Sequence, residues 1–123
     1  MLKTAAIIFG IFFIVAGLGG FSSTLAPGGM LFGVFMIGAV HNVIHLGSGI
    51  VALMCAFAGP GASAAYFKIV GIVYLLVALI GFACGNSPLL GMVEHNKADI
   101  GLHIVIAAAA LWFGFGSRQA ATT

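Results

Sequence analysis

Charge is what this sequence has least of. Its 123 residues include four Lys or Arg and two Asp or Glu, so 5% are charged and 63% are hydrophobic. An ordinary soluble domain is about 25% charged. Six charged side chains cannot keep a folded domain of this size in water, so lipid must be much of its solvent. The net charge of +2 carries no basic block, which removes the electrostatic footprint of a nucleic-acid binder. Cysteine is scarce too. Cys55 and Cys84 match neither a CxxC motif nor a zinc spacing, and the topology below puts them near opposite faces of a membrane, out of disulfide reach. They read as small packing residues. There is no GxGxxG or phosphate loop, and no Ser–His–acid or Cys–His set in a soluble pocket. No catalytic residue is therefore assigned, and enzymatic activity is not expected.

What the chain has is apolar runs, with a mean hydropathy of +1.28. Four appear, at about residues 5–21, 30–58, 64–84 and 98–115, separated by Ser, Pro, Gly and Asn. A helix needs about 20 residues to cross the hydrocarbon core. A membrane barrel would need alternating strands of about ten residues, and these runs do not alternate. The second run is too long for one crossing, since its helix would exceed about 40 Å. Gly33 and Gly38 divide it, which predicts a short interfacial or re-entrant piece at 30–38 and a span at 39–58. The first run is longer than the roughly 7–15 residues of a signal-peptide core, and Pro27 after Ala26 makes a poor cleavage site, so it reads as a helix. The expected fold is an all-α bundle of four transmembrane helices in one domain, with spans near 5–21, 39–58, 64–84 and 98–115. Lys3, Lys68 and Arg118 fall on one side and Lys97 on the other, which predicts cytoplasmic termini, as in a bacterial inner membrane. Trp112, Tyr66 and Phe67 fall near the cytoplasmic boundary and read as interface anchors.

An internal repeat is visible. Residues 8–21 align without gaps to 69–82, pairing Gly10 with Gly71, Leu18 with Leu79 and Gly20-Phe21 with Gly81-Phe82. Helices two and four align in two ways. One register pairs Gly33 with Gly91, His41 with Asp99 and His45 with His103; the other pairs His41-Asn42 with His95-Asn96 and His45 with Asp99. Both describe two repeated helical hairpins related by an axis along the membrane normal.

The polar residues inside the spans stand out against this background. His41 and His45 are spaced i, i+4, as are His95, Asp99 and His103, so each set shares a helix face. The repeat predicts that His41, His45, Asp99 and His103 converge between helices two and four. Ionisable groups within a membrane are costly and face the bundle interior. Three imidazoles and a carboxylate could form one hydrogen-bonded network, which is a common way to hold membrane helices. The same set suits a divalent ion such as zinc, iron or copper, with Glu94 and His95 as weaker candidate ligands, or a haem. A proton or small-solute path is a further reading. The leading expectation is a non-enzymatic membrane module, structural or an accessory subunit, whose partners are the lipid bilayer and a homo-oligomer or larger membrane complex. Asn42 and Asn96 read as partners for local backbone or a neighbouring helix. Gly17, Gly20, Gly47 and Gly49 suit close helix approach.

Several runs carry a resemblance. LFGVF at 31–35, HNVIHLGSG at 41–49, GIVYLLVALIGF at 71–82 and DIGLH at 99–103 resemble a bacterial family of small four-helix membrane proteins, domain of unknown function 4383. The resemblance covers about residues 31–115, and its most specific parts are the HNxxH and DxxLH runs. The family typically carries Asn after that Asp, where this chain has Ile100. It implies the fold and a membrane location, and no activity.

Overall fold

The computed structural model describes residues 1–116 apart from 86, 90 and 94. Two residues used above, Glu94 and Arg118, therefore lie outside the described residues. Four helices account for most of the chain: α1 (Leu2–Gly19), α2 (Ala39–Ala58), α3 (Pro60–Cys84) and α4 (Lys97–Leu111), which runs on as a π-helical turn over Trp112–Gly116. Each is long and apolar enough to cross a membrane, α4 with its π turn included. The protein is an integral membrane protein with an all-α core.

The helices pair as two antiparallel hairpins, α1 with α2 and α3 with α4. Small residues set how closely they approach. The buried stripe of α1 is Leu2, Ala5, Ala6, Gly10, Phe13 and Gly17, the spacing of one helix face. A Cβ on Gly49 would lie 2.7 Å from the carbonyl oxygen of Gly10, and one on Gly10 would lie 2.8 Å from the Leu53 side chain. The two backbones cross here without side chains between them. In the second hairpin a Cβ on Gly71 would meet Leu111 at 2.7 Å. Gly17 packs in the same way against Leu46 and Gly20 against Asn42, whereas Gly47 faces open space and is not a helix contact.

The third helix begins at Pro60 rather than near residue 64. Gly59, at φ 128°, makes the whole connection between α2 and α3. Proline is tolerated at the first helical position because its missing N–H would have no partner there. The Ser63 hydroxyl donates to the Gly59 carbonyl at 3.0 Å and lies 3.2 Å from that of Cys55, fastening one helix end to the next start. The segment before α2 is a β-ribbon, β1 (Met30–Leu31) paired antiparallel with β2 (Phe35–Met36), entered through a 3-10 turn at Pro27–Gly29. Before α4 a single antiparallel bridge joins Leu89 and Val93. Gly33 and Gly91 sit inside these two turns with φ 73° and 72°.

The core lies between the hairpins. Phe13, Phe67, Tyr66, Tyr74 and Ile106 are buried in one cluster with alanines of α1, α2 and α4. Phe9 and Phe67 meet edge to face at 4.9 Å, and Phe67 lies 5.1 Å from Phe113. Tyr66 and Phe67 are therefore core residues, not interface anchors: both side chains point between hairpins rather than out of the bundle. Trp112 is exposed. Most large aliphatic side chains of the spans are exposed as well, as expected where lipid replaces water.

Candidate functional site

The site is assembled at the start of α2 and α4. Gly38, in extended conformation, precedes the first turn of α2, with His41 in that turn and His45 one turn on. Asn96 begins α4. Its Oδ1 accepts from the Asp99 backbone N–H at 3.0 Å, and the Asn96 N–H donates to Asp99 Oδ2 at 2.9 Å. This reciprocal capping box fixes where the helix begins and so where His103, one turn further in, projects. The Asn96 amide also donates to the Val34 carbonyl at 2.8 Å, tying the start of α4 to the turn of the β-ribbon.

Three of the four expected residues converge. The side chains of His41, His45 and His103 are buried, and one ring nitrogen of each lies within 4.8 Å of the other two. Ring centroids are 4.4 Å apart for His41 and His45, 5.6 Å for His41 and His103, and 6.3 Å for His45 and His103. Asp99 is not part of this convergence. Its carboxylate is held by the backbone at the start of its own helix. His95 is buried but not one of the three, with Nε2 3.0 Å from the Gly81 carbonyl oxygen, so it anchors the loop before α4 to α3. Asn42 is buried too, but it faces Gly20 at the end of α1, and its Oδ1 has no hydrogen-bond partner among the described residues.

Sequence reasoning missed the groups around the rings. Phe13 lies 5.6 Å from His45, and Tyr74 lies 5.4 Å from both His103 and Phe13. Tyr66 donates to the Ser48 carbonyl at 3.0 Å, and the Ser48 and Tyr74 hydroxyls are 3.3 Å apart. The i, i+4, i+7 progression of His41, His45 and Ser48 was the available signal. These residues face a cleft of about 630 Å³ between α2 and α3, with His45 and His103 among its lining. That lies within the usual range of about 300–1,000 Å³ for ligand sites.

Chemically, the arrangement offers three imidazole nitrogens in apolar surroundings. Tetrahedral zinc, with Zn–N near 2.1 Å, sets its ligands about 3.4 Å apart. Three nitrogens within 4.8 Å of one another reach that spacing by about an ångström of ring movement. Both ring nitrogens of His45 are buried without a hydrogen-bond partner among the described residues. Such atoms are costly unless a water or ion satisfies them.

Searches of curated proteins and of solved structures find no match. The model of a family described as a domain of unknown function, DUF4383, matches residues 3–116, nearly the whole chain. The chain belongs to that family of unknown function, here in the form of a four-helix membrane bundle.

Proposed function

We propose that this protein binds one divalent transition-metal ion inside the membrane through His41, His45 and His103. The observation that carries the reading is the convergence of three buried imidazoles from two helices, one of them, His45, with neither nitrogen hydrogen-bonded. Imidazole suits zinc, copper, iron and nickel. Three histidines with an open fourth position are a recurrent ligand set for zinc. Convergence on one point favours an ion over a haem, whose axial ligands approach from opposite faces. A purely structural His–Asp network is less well supported, because Asp99 is engaged at the start of α4 and the His45 nitrogens have no hydrogen-bond partner among the described residues. Bridging water is the competing occupant, since nitrogens at this spacing can be joined by one.

Three further parts of the reading accompany it. The hairpins derive from one repeated unit. An offset of 58 relates Leu31 and Phe35 to Leu89 and Val93, Gly33 to Gly91, the helix-initiating Gly38 to Asn96, and Leu53 to Leu111, while 61 relates Gly10 to Gly71. In that register His45 and His103 are equivalents, and His41 corresponds to Asp99. Both termini face the cytoplasm, on the strength of Lys3 and Lys68 against Lys97. The exposed apolar faces suit lipid or further copies of the chain.

Metal analysis of protein purified in detergent, without a polyhistidine tag, tests the central claim. About one ion per chain is expected, lost in His45→Ala and in His103→Ala and retained in Asp99→Asn. Wild-type protein that stays metal-free after equilibration with zinc, copper and iron salts would leave the bridging-water account standing instead.

A further inference from the structure

The cleft between α2 and α3 runs deeper into the membrane than the histidines do. It follows α2 from His41 to Cys55, fourteen residues, or about 21 Å of helix. Val40, Ile44 and Val51 of α2 and Ile69 and Val73 of α3 wall it. All five are exposed, so the cleft opens sideways, towards lipid. Halfway along, two hydroxyls interrupt the apolar lining. Ser48 is the tenth of twenty residues in α2, and Tyr74 the fifteenth of twenty-five in α3. Ser48 is thus about 15 Å from either end of its helix, close to the middle of a hydrocarbon core roughly 30 Å thick. The two hydroxyls lie 3.3 Å apart and share one hydrogen bond. Each carries a single proton, so whichever donates, the other proton is left over. Among the described residues neither hydroxyl makes a second hydrogen bond. An O–H donor is therefore offered to the cleft at mid-membrane, where no bulk water competes for it.

Depth and size restrict what can accept from it. A phospholipid or fatty-acid head is charged and stays at the interface, because charge is expensive this far inside. A neighbouring helix has its backbone acceptors spent on its own hydrogen bonds. At about 10 Å across, a helix would also need roughly 1,600 Å³ over this length, against about 630 Å³ in the cleft. What fits is an uncharged lipid that carries an acceptor oxygen into the hydrocarbon core. The His103 ring, also in the lining, lies 5.4 Å from that of Tyr74, so a flat ring would find aromatic neighbours beside the donor.

We propose that the cleft binds a prenyl quinone, with a carbonyl oxygen accepting from the Ser48–Tyr74 hydroxyl pair and the isoprenoid tail lying between α2 and α3. This goes beyond the metal reading and does not require it, since the donor is a hydroxyl and not an imidazole. Gly47 lines the slot beside Ser48, and a side chain there would meet nothing within 4 Å. A leucine at this position would enter the tail's path without disturbing helix contacts.

The test uses full-length protein in a non-ionic maltoside detergent, stripped of metal with a chelator, and a naphthoquinone carrying four prenyl units. Titration should saturate at one quinone per chain, and infrared spectra should show a carbonyl stretch lowered by hydrogen bonding. The double variant Ser48→Ala/Tyr74→Phe should lose the lowered stretch and bind at least tenfold more weakly. Both changes are needed, because either hydroxyl alone still donates. Gly47→Leu, which keeps both hydroxyls, should also weaken binding at least tenfold, and it decides the matter if the double variant fails to fold. Squalene, a prenyl hydrocarbon without oxygen, should compete only at tenfold or higher concentration. Quinone that does not saturate, a carbonyl stretch left in place, squalene that competes equally, or a Gly47→Leu variant that binds like wild type each overturns the proposal. None of these outcomes touches the metal reading, which is scored by metal content.

Discussion

Asn96 and Asp99 hold each other at the start of α4, each side chain bonded to the other's backbone N–H at 3.0 and 2.9 Å. Both groups are thereby spent on the helix terminus, and the only acidic side chain among the described residues is withdrawn from the histidines one turn away. Asp99→Ala should lower stability by about 1–2 kcal/mol, the usual cost of losing a cap of this kind, because the Asn96 N–H then lacks an acceptor. Asp99→Asn should cost less, since an amide oxygen still accepts. Thermal melts in detergent check both, and metal content should be unchanged in either.

Gly47 and Gly49 should respond in opposite ways to enlargement. Gly49 lies against the Gly10 backbone, so Gly49→Leu must push α1 from α2 and should cost about 1–3 kcal/mol or more. Gly47→Leu should melt close to wild type. Equal losses for the two would contradict the geometry of the α1–α2 crossing.

His45 should be a liability without metal and an asset with it. Its nitrogens are buried and lack hydrogen bonds, so His45→Leu should leave metal-free protein as stable or more so. Added zinc should raise the melting temperature of wild type by mass action and leave His45→Leu unmoved. A zinc-induced shift that survives in His45→Leu would point to a site elsewhere on the chain.

Topology gives a separate expectation. With Cys55 and Cys84 replaced by serine, single cysteines at Lys3 and Gly61 should be labelled from the cytoplasmic side and one at Lys97 from the other. Labelling of Lys3 and Gly61 from opposite sides is incompatible with an antiparallel α1–α2 hairpin that crosses twice.

The order and type of the elements was legible because the lengths of apolar runs are set by bilayer thickness, a constraint that acts on sequence directly. The span at 39–58 was read to the residue, since Gly38 and Gly59 bound it. Pro60 misled: proline reads as punctuation, but in the first turn it begins a helix as readily as it ends one. The segment at 30–38 gave no strand signal, since its strands are two residues each and Gly33 supplies the turn. Tyr66 and Phe67 looked like interface aromatics because their depth along the chain was right, while the direction they face is set by the packing of one hairpin on the other.

Hydropathy and helical spacing are local properties, so a membrane-spanning four-helix protein, and which of its polar residues share a helix face, could be read from the chain alone. Which of those residues meet depends on how the helices pack. His41, His45 and His103 converge because α2 and α4, from different hairpins, turn these faces to one another, and the close contacts of Gly10 with Gly49 and of Gly71 with Leu111 help to fix each helix within its own hairpin. Asp99 shares a helix face with His103 and still leaves the cluster, because backbone N–H groups at a helix start compete for its carboxylate and are nearer.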